Sequence, residues 1–496
     1  MVQGVITRPA LLFVSPRRHA TMPLVQFREE PAYEYVDVDL EQRSAPIESR
    51  WRDLDLTTRF SRHLQLRRPF VSAAMDTVTG SSLAIVMAEE GGLGVLHRFL
   101  SIEDQAKEVA RVKRTAHFVI DTPYLLTPQH RVRDALAILE EHGIGGIIVV
   151  DYLEGKRVLG VLSRRDLAGE ASDRSVRELM NAGGKKDLIA APCGTTMEKA
   201  AGILHAHRIE KLPLVDEHGH LCGLITEKDI AQVAKYPNAT RDKTGRLAVA
   251  AAIGIREDDY HHRASALIEA GVDVLVIDVA HGGLIRVLKV TRLLVDDFPD
   301  TDVVVGNVMT AELTEELIDA GAAGVKVGIA PGYACRTRNV TGVGGGQLTA
   351  VFESVKVAAK SDVPICADGG IRELGDVGKA LAVGGSTVMM GSFFAGTDET
   401  PGKAVMGLDR RRYYLYRGMA SLGANLSLNQ LSEQDGDSVQ VTPEGEHLMV
   451  PAKGSVRDVL KQMEGALRST MSYIGATTIA KMPQRAIFRV KAGSGG

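Results

Sequence analysis

The stretch VDVLVIDVAHGGLIRVLKVTRLLVDDFPDTDVVVGNVMTAELTEELIDAGAAGVKVG, Val272 to Gly328, decides the architecture. Three apolar runs, Asp273–Asp278, Asp302–Gly306 and Ala323–Val327, alternate with two amphipathic segments, Leu284–Asp297 and Thr310–Ala320. Short runs that are apolar at every position suit parallel strands covered by helices on their outer face. The same beat continues outward. Val71–Met75, Gly94–His97 and Ala248–Gly254 precede it, and Val363–Ala367 and Thr387–Met390 follow, with helical segments such as Asp258–Ala270, Gln347–Ala359 and Leu374–Val383 between them. Eight strands, most followed by a helix, predict an α/β fold of the (β/α)8 TIM-barrel type, in preference to a doubly wound sheet. Nearly every strand ends in a polar or glycine-rich turn, among them AAMDTVTG, VIDVAHGG, CADGGI and VMMGS. In a barrel those turns share the C-terminal face, where active sites sit.

The beat breaks between about Thr115 and Pro237, where an internal repeat appears. VRDALAILEEHGIGGIIVVD (Val132–Asp151) matches MEKAAGILHAHRIEKLPLVD (Met197–Asp216) in pattern, and the copies end alike in GVLSRRDL and GLITEKDI. Neither copy buries its apolar face alone, so the two are expected to pack together. Ser163 to Asp166 and Thr226 to Asp229 each spell a capping S/T-x-x-D turn. The doubled pattern resembles a pair of cystathionine-β-synthase (CBS) motifs, a resemblance that implies purine nucleotide binding at Asp166 and Asp229. The expected organisation is an N-terminal segment (1–50), a first barrel part (51–114), the CBS pair (115–237) and the barrel remainder (238–496).

The chain has 496 residues, ample for several domains, and 59 basic against 62 acidic side chains. Near-neutral charge argues against a nucleic-acid or membrane-surface binder. Four scattered cysteines, with no CxxC pair, exclude a disulfide scaffold and a zinc framework. Cys193, Cys222 and Cys366 are expected to be inert buried thiols. No apolar run is long enough for a membrane span, and the patch Ala10–Val14 is too short for a signal sequence. Met22 offers an alternative start. A cytoplasmic protein is expected.

The chemistry concentrates in GIAPGYACRTR, Gly328 to Arg338. A cysteine here follows a barrel strand on a glycine-proline loop. Flanking Arg336 and Arg338 supply the positive potential that favours a thiolate nucleophile. ADGGI and MMGS end the last two strands, where glycine backbone can cradle a phosphate, Ser392 can donate its hydroxyl and Asp368 can accept from a ribose diol.

With VSAAMDTVT, VIDVAHG, GNVMT and YRGMASLGA, these motifs resemble the inosine-5′-monophosphate (IMP) dehydrogenase and guanosine-5′-monophosphate (GMP) reductase family, over roughly Asp53 to Val490. The resemblance implies a cysteine adduct at C2 of the purine. A dehydrogenase passes hydride to NAD and then hydrolyses the adduct; a reductase expels ammonia and takes hydride from NADPH. By resemblance, Cys335 is the nucleophile, Thr337 its hydroxyl neighbour and Glu444 a base-contacting acid. Tyr333, Asp368, Gly369, Gly370, Gly391, Ser392 and Tyr416 hold the ribose phosphate. Met75, Gly418 and Met419 line the base, and Asp278, Asn307 and Gly328 face the nicotinamide riboside. A homotetramer or octamer is implied as well.

The sequence also departs from the family. Ala330 replaces a glycine, and Tyr333 a phosphate-binding serine. The flap, Gly418 to Glu446, has no Arg, Lys, His or Tyr, whereas dehydrogenases carry an Arg-Tyr pair there to activate water; its candidate proton acceptors are the carboxylates Glu433, Asp435, Asp437, Glu444 and Glu446. The tail ends without the acidic, histidine-containing segment that completes a potassium site. Only backbone carbonyls of Ala330, Gly332 and Cys335 are left for the ion, and strong potassium activation is not expected. These gaps lean toward the reductase. Against that, Leu422 stands where reductases place a glutamate, and the remaining wording follows dehydrogenases. IMP dehydrogenase is the first reading and GMP reductase the alternative. A non-catalytic nucleotide-binding relative is the third.

Overall fold

The computed structural model describes residues 28, 30–115, 119–120, 123–142, 144–182, 188–332, 335–421 and 444–492. Eight parallel strands close a barrel: β1 (Phe70–Ser72), β2 (Leu93–Leu96), β3 (Ala250–Ile253), β4 (Val274–Asp278), β5 (Asp302–Val308), β6 (Gly324–Val327), β7 (Ile365–Asp368) and β8 (Thr387–Met390). Each pairs with its sequence neighbour, and β8 returns to β1. All eight strands fall where the sequence put them.

Alternation explains why the runs are apolar throughout. Val71, Val95, Ala250, Ala252, Val274, Val276, Val304, Cys366 and Met389 fill the barrel interior. The intervening residues, such as Ala251, Leu275, Val303, Val325 and Val388, pack outward against the helices. Those helices are α1 (Ser81–Glu89), α2 (Ile102–Arg114), α3 (Tyr260–Glu269), α4 (Ile285–Asp297), α5 (Ala311–Asp319), α6 (Gln347–Ala358), α7 (Leu374–Ala382) and α8 (Val456–Ile474). In α8, Leu460, Met463, Leu467 and Met471 repeat at helical spacing and are buried. Ser455 caps its start, and Gly475, at φ 73°, ends it in the left-handed conformation.

The chain leaves the barrel after α2 and re-enters at β3. Lys113, at the end of α2, binds Asp242 on the returning stem (2.9 Å) and Asp273 before β4 (2.6 Å), so one buried ammonium ties both stems to the barrel. The excursion forms two small sheets. One holds Leu125–Leu126, Gly146–Val150 and Val158–Ser163. The other holds Ala191–Pro192, Lys211–Val215 and Leu221–Thr226, joined by Val119–Ile120 from ahead of the first repeat. The repeats do pack together: Ile148, Val150 and Val158 share a core with Leu224. Their hairpins pair as well, with Val158 N donating to Gly219 O (3.0 Å) and Leu221 N to Lys156 O (2.9 Å).

One expectation is corrected here. Cys193 and Cys222 are not buried free thiols; they form a disulfide on the exposed edge of the second repeat, with Cα atoms 5.9 Å apart. They stand 29 residues apart in sequence and flank the end of the strand Lys211–Val215, so only the sheet order brings them together. Closing a loop of that length restricts the unfolded chain by about 3–4 kcal/mol. Reduction is therefore expected to lower the unfolding temperature of the repeat. It should also raise the number of native thiols open to iodoacetamide from one, Cys335, to three. An unchanged thiol count would contradict the bond.

Candidate active site

The C-terminal strand ends carry the predicted residues. Asp278 ends β4, Asn307 lies in β5, Gly328 follows β6, Asp368 ends β7, and Gly391 and Ser392 follow β8. Gly328 is forced by a close approach, since a Cβ there would lie 2.1 Å from the Asp368 carbonyl oxygen. Gly369 and Gly370 sit at φ 83° and 78°, where glycine is favoured. Beyond β8, Gly391 O accepts from the amides of Phe394 and Ala395, forming one helical turn behind Ser392. A side chain at Gly391 would strike Met75 Sδ (2.7 Å) and Tyr416 Oη (3.0 Å), so base-lining and phosphate-side candidates meet there. Gly418 is buried and Met419 half-buried at the root of the flap.

Cys335 is a free, exposed thiol. Its loop pairs with the far end of the flap: Cys335 bridges Gly445, and Arg336 N donates to Glu444 O (2.7 Å). That pairing brings Glu444 to the cysteine. The Cys335 thiol donates to Thr337 Oγ1 (3.2 Å), whose hydroxyl donates to Glu444 Oε2 (2.7 Å). Glu444, assigned to the base in the sequence, thus joins Cys335 and its neighbour Thr337 in one chain of hydrogen bonds. The flanking arginines act differently from expectation. Arg336 is offset by Glu446 (3.2 Å) and Arg338 by Glu34 (2.8 Å), so neither is an uncompensated charge at the thiol.

Sequence reasoning missed Glu34 and Gln347. Glu34, on the N-terminal segment, accepts from the Gln347 amide at the start of α6 (2.9 Å) while holding Arg338. Gln347 Nε2 donates to Val327 O (2.8 Å) and Asp368 O (3.2 Å). The pair therefore joins the cysteine loop to the strand ends, and no local motif marks either residue. The other free thiol, Cys366, is pushed up to about 12 by burial in the barrel and then by the Asp368 charge. Its burial agrees with the sequence reading.

Tyr333 lies outside the described residues, as do flap positions 422–443 with Leu422, Glu433, Asp435 and Asp437. Of the carbonyls named for potassium, Gly332 O already accepts the Cys335 amide (3.1 Å), and Ala330 sits at φ 60°.

The other half of the face holds an unused acceptor. Asn307 Nδ2 donates to Gly328 O (2.7 Å) and Asp368 Oδ2 (2.8 Å), while its Oδ1 is buried without a partner. That orphaned acceptor suits a polar donor brought by a ligand.

Barrel, exposed thiol and strand-end carboxylates meet on the face of a (β/α)8 fold where enzymes of that fold carry their active sites. Residues 32–496 match the family model described as IMP dehydrogenase / GMP reductase domain, and the chain belongs to that family. It is 44% identical over 470 residues to an inosine-5′-monophosphate dehydrogenase of Nitrosopumilus maritimus, covering 94% of this chain and 96% of that one. Its identity to the Aquifex aeolicus enzyme of the same name is 46%, covering 88% of each. Among solved structures it is similar to a cysteine-to-alanine GMP reductase from Trypanosoma brucei in complex with guanosine 5′-monophosphate. The TM-score is 0.82 at 37% identity, covering 94% of this chain and 96% of that one. The chain is accordingly a nicotinamide-dependent purine nucleotide oxidoreductase.

Proposed function

We propose that the chain is an IMP dehydrogenase, converting IMP, NAD and water to xanthosine monophosphate and NADH. The observation that carries this reading is the Cys335–Thr337–Glu444 chain at the strand-end carboxylates. The Cys335 thiolate adds to C2 of the base, with the ribose at Asp368 and the phosphate at Gly370, Gly391 and Ser392. Asp278 and Asn307 would hold the nicotinamide riboside, which when bound accepts the hydride leaving C2. Thr337 and Glu444 then take a proton from the water that releases the thioimidate.

A second reading is favoured by the flap, which has no arginine or tyrosine. In a GMP reductase the same thiolate would add to C2 of GMP and Glu444, through Thr337, would protonate the amino group that leaves as ammonia; hydride that a bound NADPH would supply at C2 then releases the Cys335 thiolate and IMP. Absorbance at 340 nm separates the two. NADH formation from IMP and NAD supports the first reading, and NADPH loss with GMP the second. Neither, alongside tight nucleotide binding, would leave a regulatory relative.

The repeat pair is read as CBS motifs that take purine nucleotides, in a cytoplasmic homotetramer or octamer. Among the described residues no helix is long and apolar enough to cross a membrane. Asp166 Oδ2 accepts from Ser163 N (2.7 Å) and Oγ (2.6 Å), and Asp229 Oδ2 from Thr226 Oγ1 (2.5 Å). Among the described residues the other oxygen of each carboxylate accepts no hydrogen bond, which leaves it open to a ribose hydroxyl. Millimolar ATP or GTP is expected to raise the unfolding temperature of the full chain. Asp166→Ala with Asp229→Ala should cancel that shift and leave turnover without effector intact. No shift with any purine nucleotide would leave both residues as helix caps.

A further inference from the structure

The relay at Cys335 leaves one buried charge in the barrel without a task. Lys326, in β6, is 2% exposed and stands in register with Gly306 of β5 and Cys366 of β7. A Cβ on Gly306 would lie 2.4 Å from Lys326 Cβ, so that glycine makes room for the lysine stem. The ammonium reaches Asp278 Oδ1 at 2.9 Å and Asp368 Oδ2 at 2.6 Å. Asn307 Nδ2 donates to the same Asp368 oxygen. Four successive strands, β4 to β7, converge on this cluster. Asp278 Oδ2 and Asp368 Oδ1 have no hydrogen-bond partner among the described residues.

We propose that Lys326 is a positioning residue shared by the two ligand sites. It holds the nucleotide-side carboxylate, Asp368, and the dinucleotide-side carboxylate, Asp278, as a fixed pair of anions, each offering its free oxygen to a sugar hydroxyl. This rests on the nucleotide oxidoreductase reading. Without the cation, two carboxylates aimed at one point repel and share a proton. A protonated carboxyl then presents a donor where the sugar needs an acceptor. Burial alone would lower the lysine, yet the two carboxylates outweigh it and raise Lys326 above the ordinary lysine value. The other groups facing the cluster are Asn307, the neutral Cys366 thiol and Arg98, whose charge acts on Asp278.

The test uses the full-length chain and reads binding of IMP or GMP separately from binding of NAD or NADPH. Lys326→Met is expected to weaken both by about tenfold or more. It should also introduce a pH dependence absent from the wild type, with both ligands binding better as the shared proton leaves. Adding Asp278→Asn to Lys326→Met removes the like charge. Mononucleotide binding should then return to within about threefold of wild type, while dinucleotide binding stays weak. A purely structural lysine would not give that one-sided rescue. Loss confined to one ligand, or a double variant no better than Lys326→Met for the mononucleotide, overturns the proposal. Should Lys326→Met not fold, Asp278→Asn alone decides. Lys326 then still holds Asp368, so mononucleotide binding must stay within about threefold, and a tenfold loss overturns the proposal. Wild-type protein that binds neither IMP nor GMP would refute the function reading itself, an outcome distinct from every variant pattern above.

Discussion

Cys335→Ala is expected to lower turnover by about 10³-fold or more while leaving mononucleotide binding within a few-fold of wild type. In the proposed reaction the thiol forms the covalent bond that every later step needs. No other thiol can stand in for it: Cys366 is buried in the barrel and pushed up to about 12, and Cys193 and Cys222 are bonded to each other. Binding is expected to survive because the ribose and phosphate contacts proposed for Asp368, Gly370, Gly391 and Ser392 lie on the ends of β7 and β8, with Tyr333 alone placed on the cysteine loop. Turnover at 340 nm and calorimetric titration with IMP or GMP check the two halves. Retained turnover above a few per cent would remove Cys335 from the nucleophile's role. Equal loss of binding and turnover would mean that the loop holds the nucleotide instead of reacting with it.

The barrel was legible because each β/α unit carries its own signal within about thirty residues. Strand ends inherit that legibility. Asp278, Asn307, Gly328 and Asp368 could be placed on one face before any coordinates, since closure puts all C-terminal ends together. What could not be read were partners fixed only by closure or by sheet order. Lys326 sits in GVKVG as a lone charge in an apolar run, a visible anomaly, yet its bonds to Asp278 and Asp368 exist only because β4 and β7 both approach β6. Glu34 lies about three hundred residues from Arg338 in sequence, and Cys193 and Cys222 meet only through the order of strands in the second repeat. The arginines beside Cys335 illustrate the converse error. Sequence shows charges but not their counter-charges, and Glu34 and Glu446 supply those from distant segments.

Glu444→Gln should separate the two candidate reactions, because each asks the carboxylate for a proton at a different stage. Thr337 Oγ1 lies between the Cys335 thiol and Glu444 Oε2, and an amide at 444 can accept no proton through that hydroxyl. In a dehydrogenase the hydride leaves first and water is activated second. With no arginine or tyrosine in the flap to share that second task, hydrolysis should already be the slower step in the wild type. Mixing with IMP and NAD should therefore give a burst of NADH approaching one equivalent per site, followed by a slower steady state. Glu444→Gln should keep the burst and slow the steady state by a further 10²–10⁴-fold or so, the usual cost of losing a positioned base. In a reductase the carboxylate acts before hydride transfer, protonating the ammonia that leaves C2. The same substitution should then suppress even the first turnover of GMP, with no burst of NADPH loss. A wild-type trace that is linear and fast, together with less than a tenfold effect at Glu444, would assign water activation to another residue.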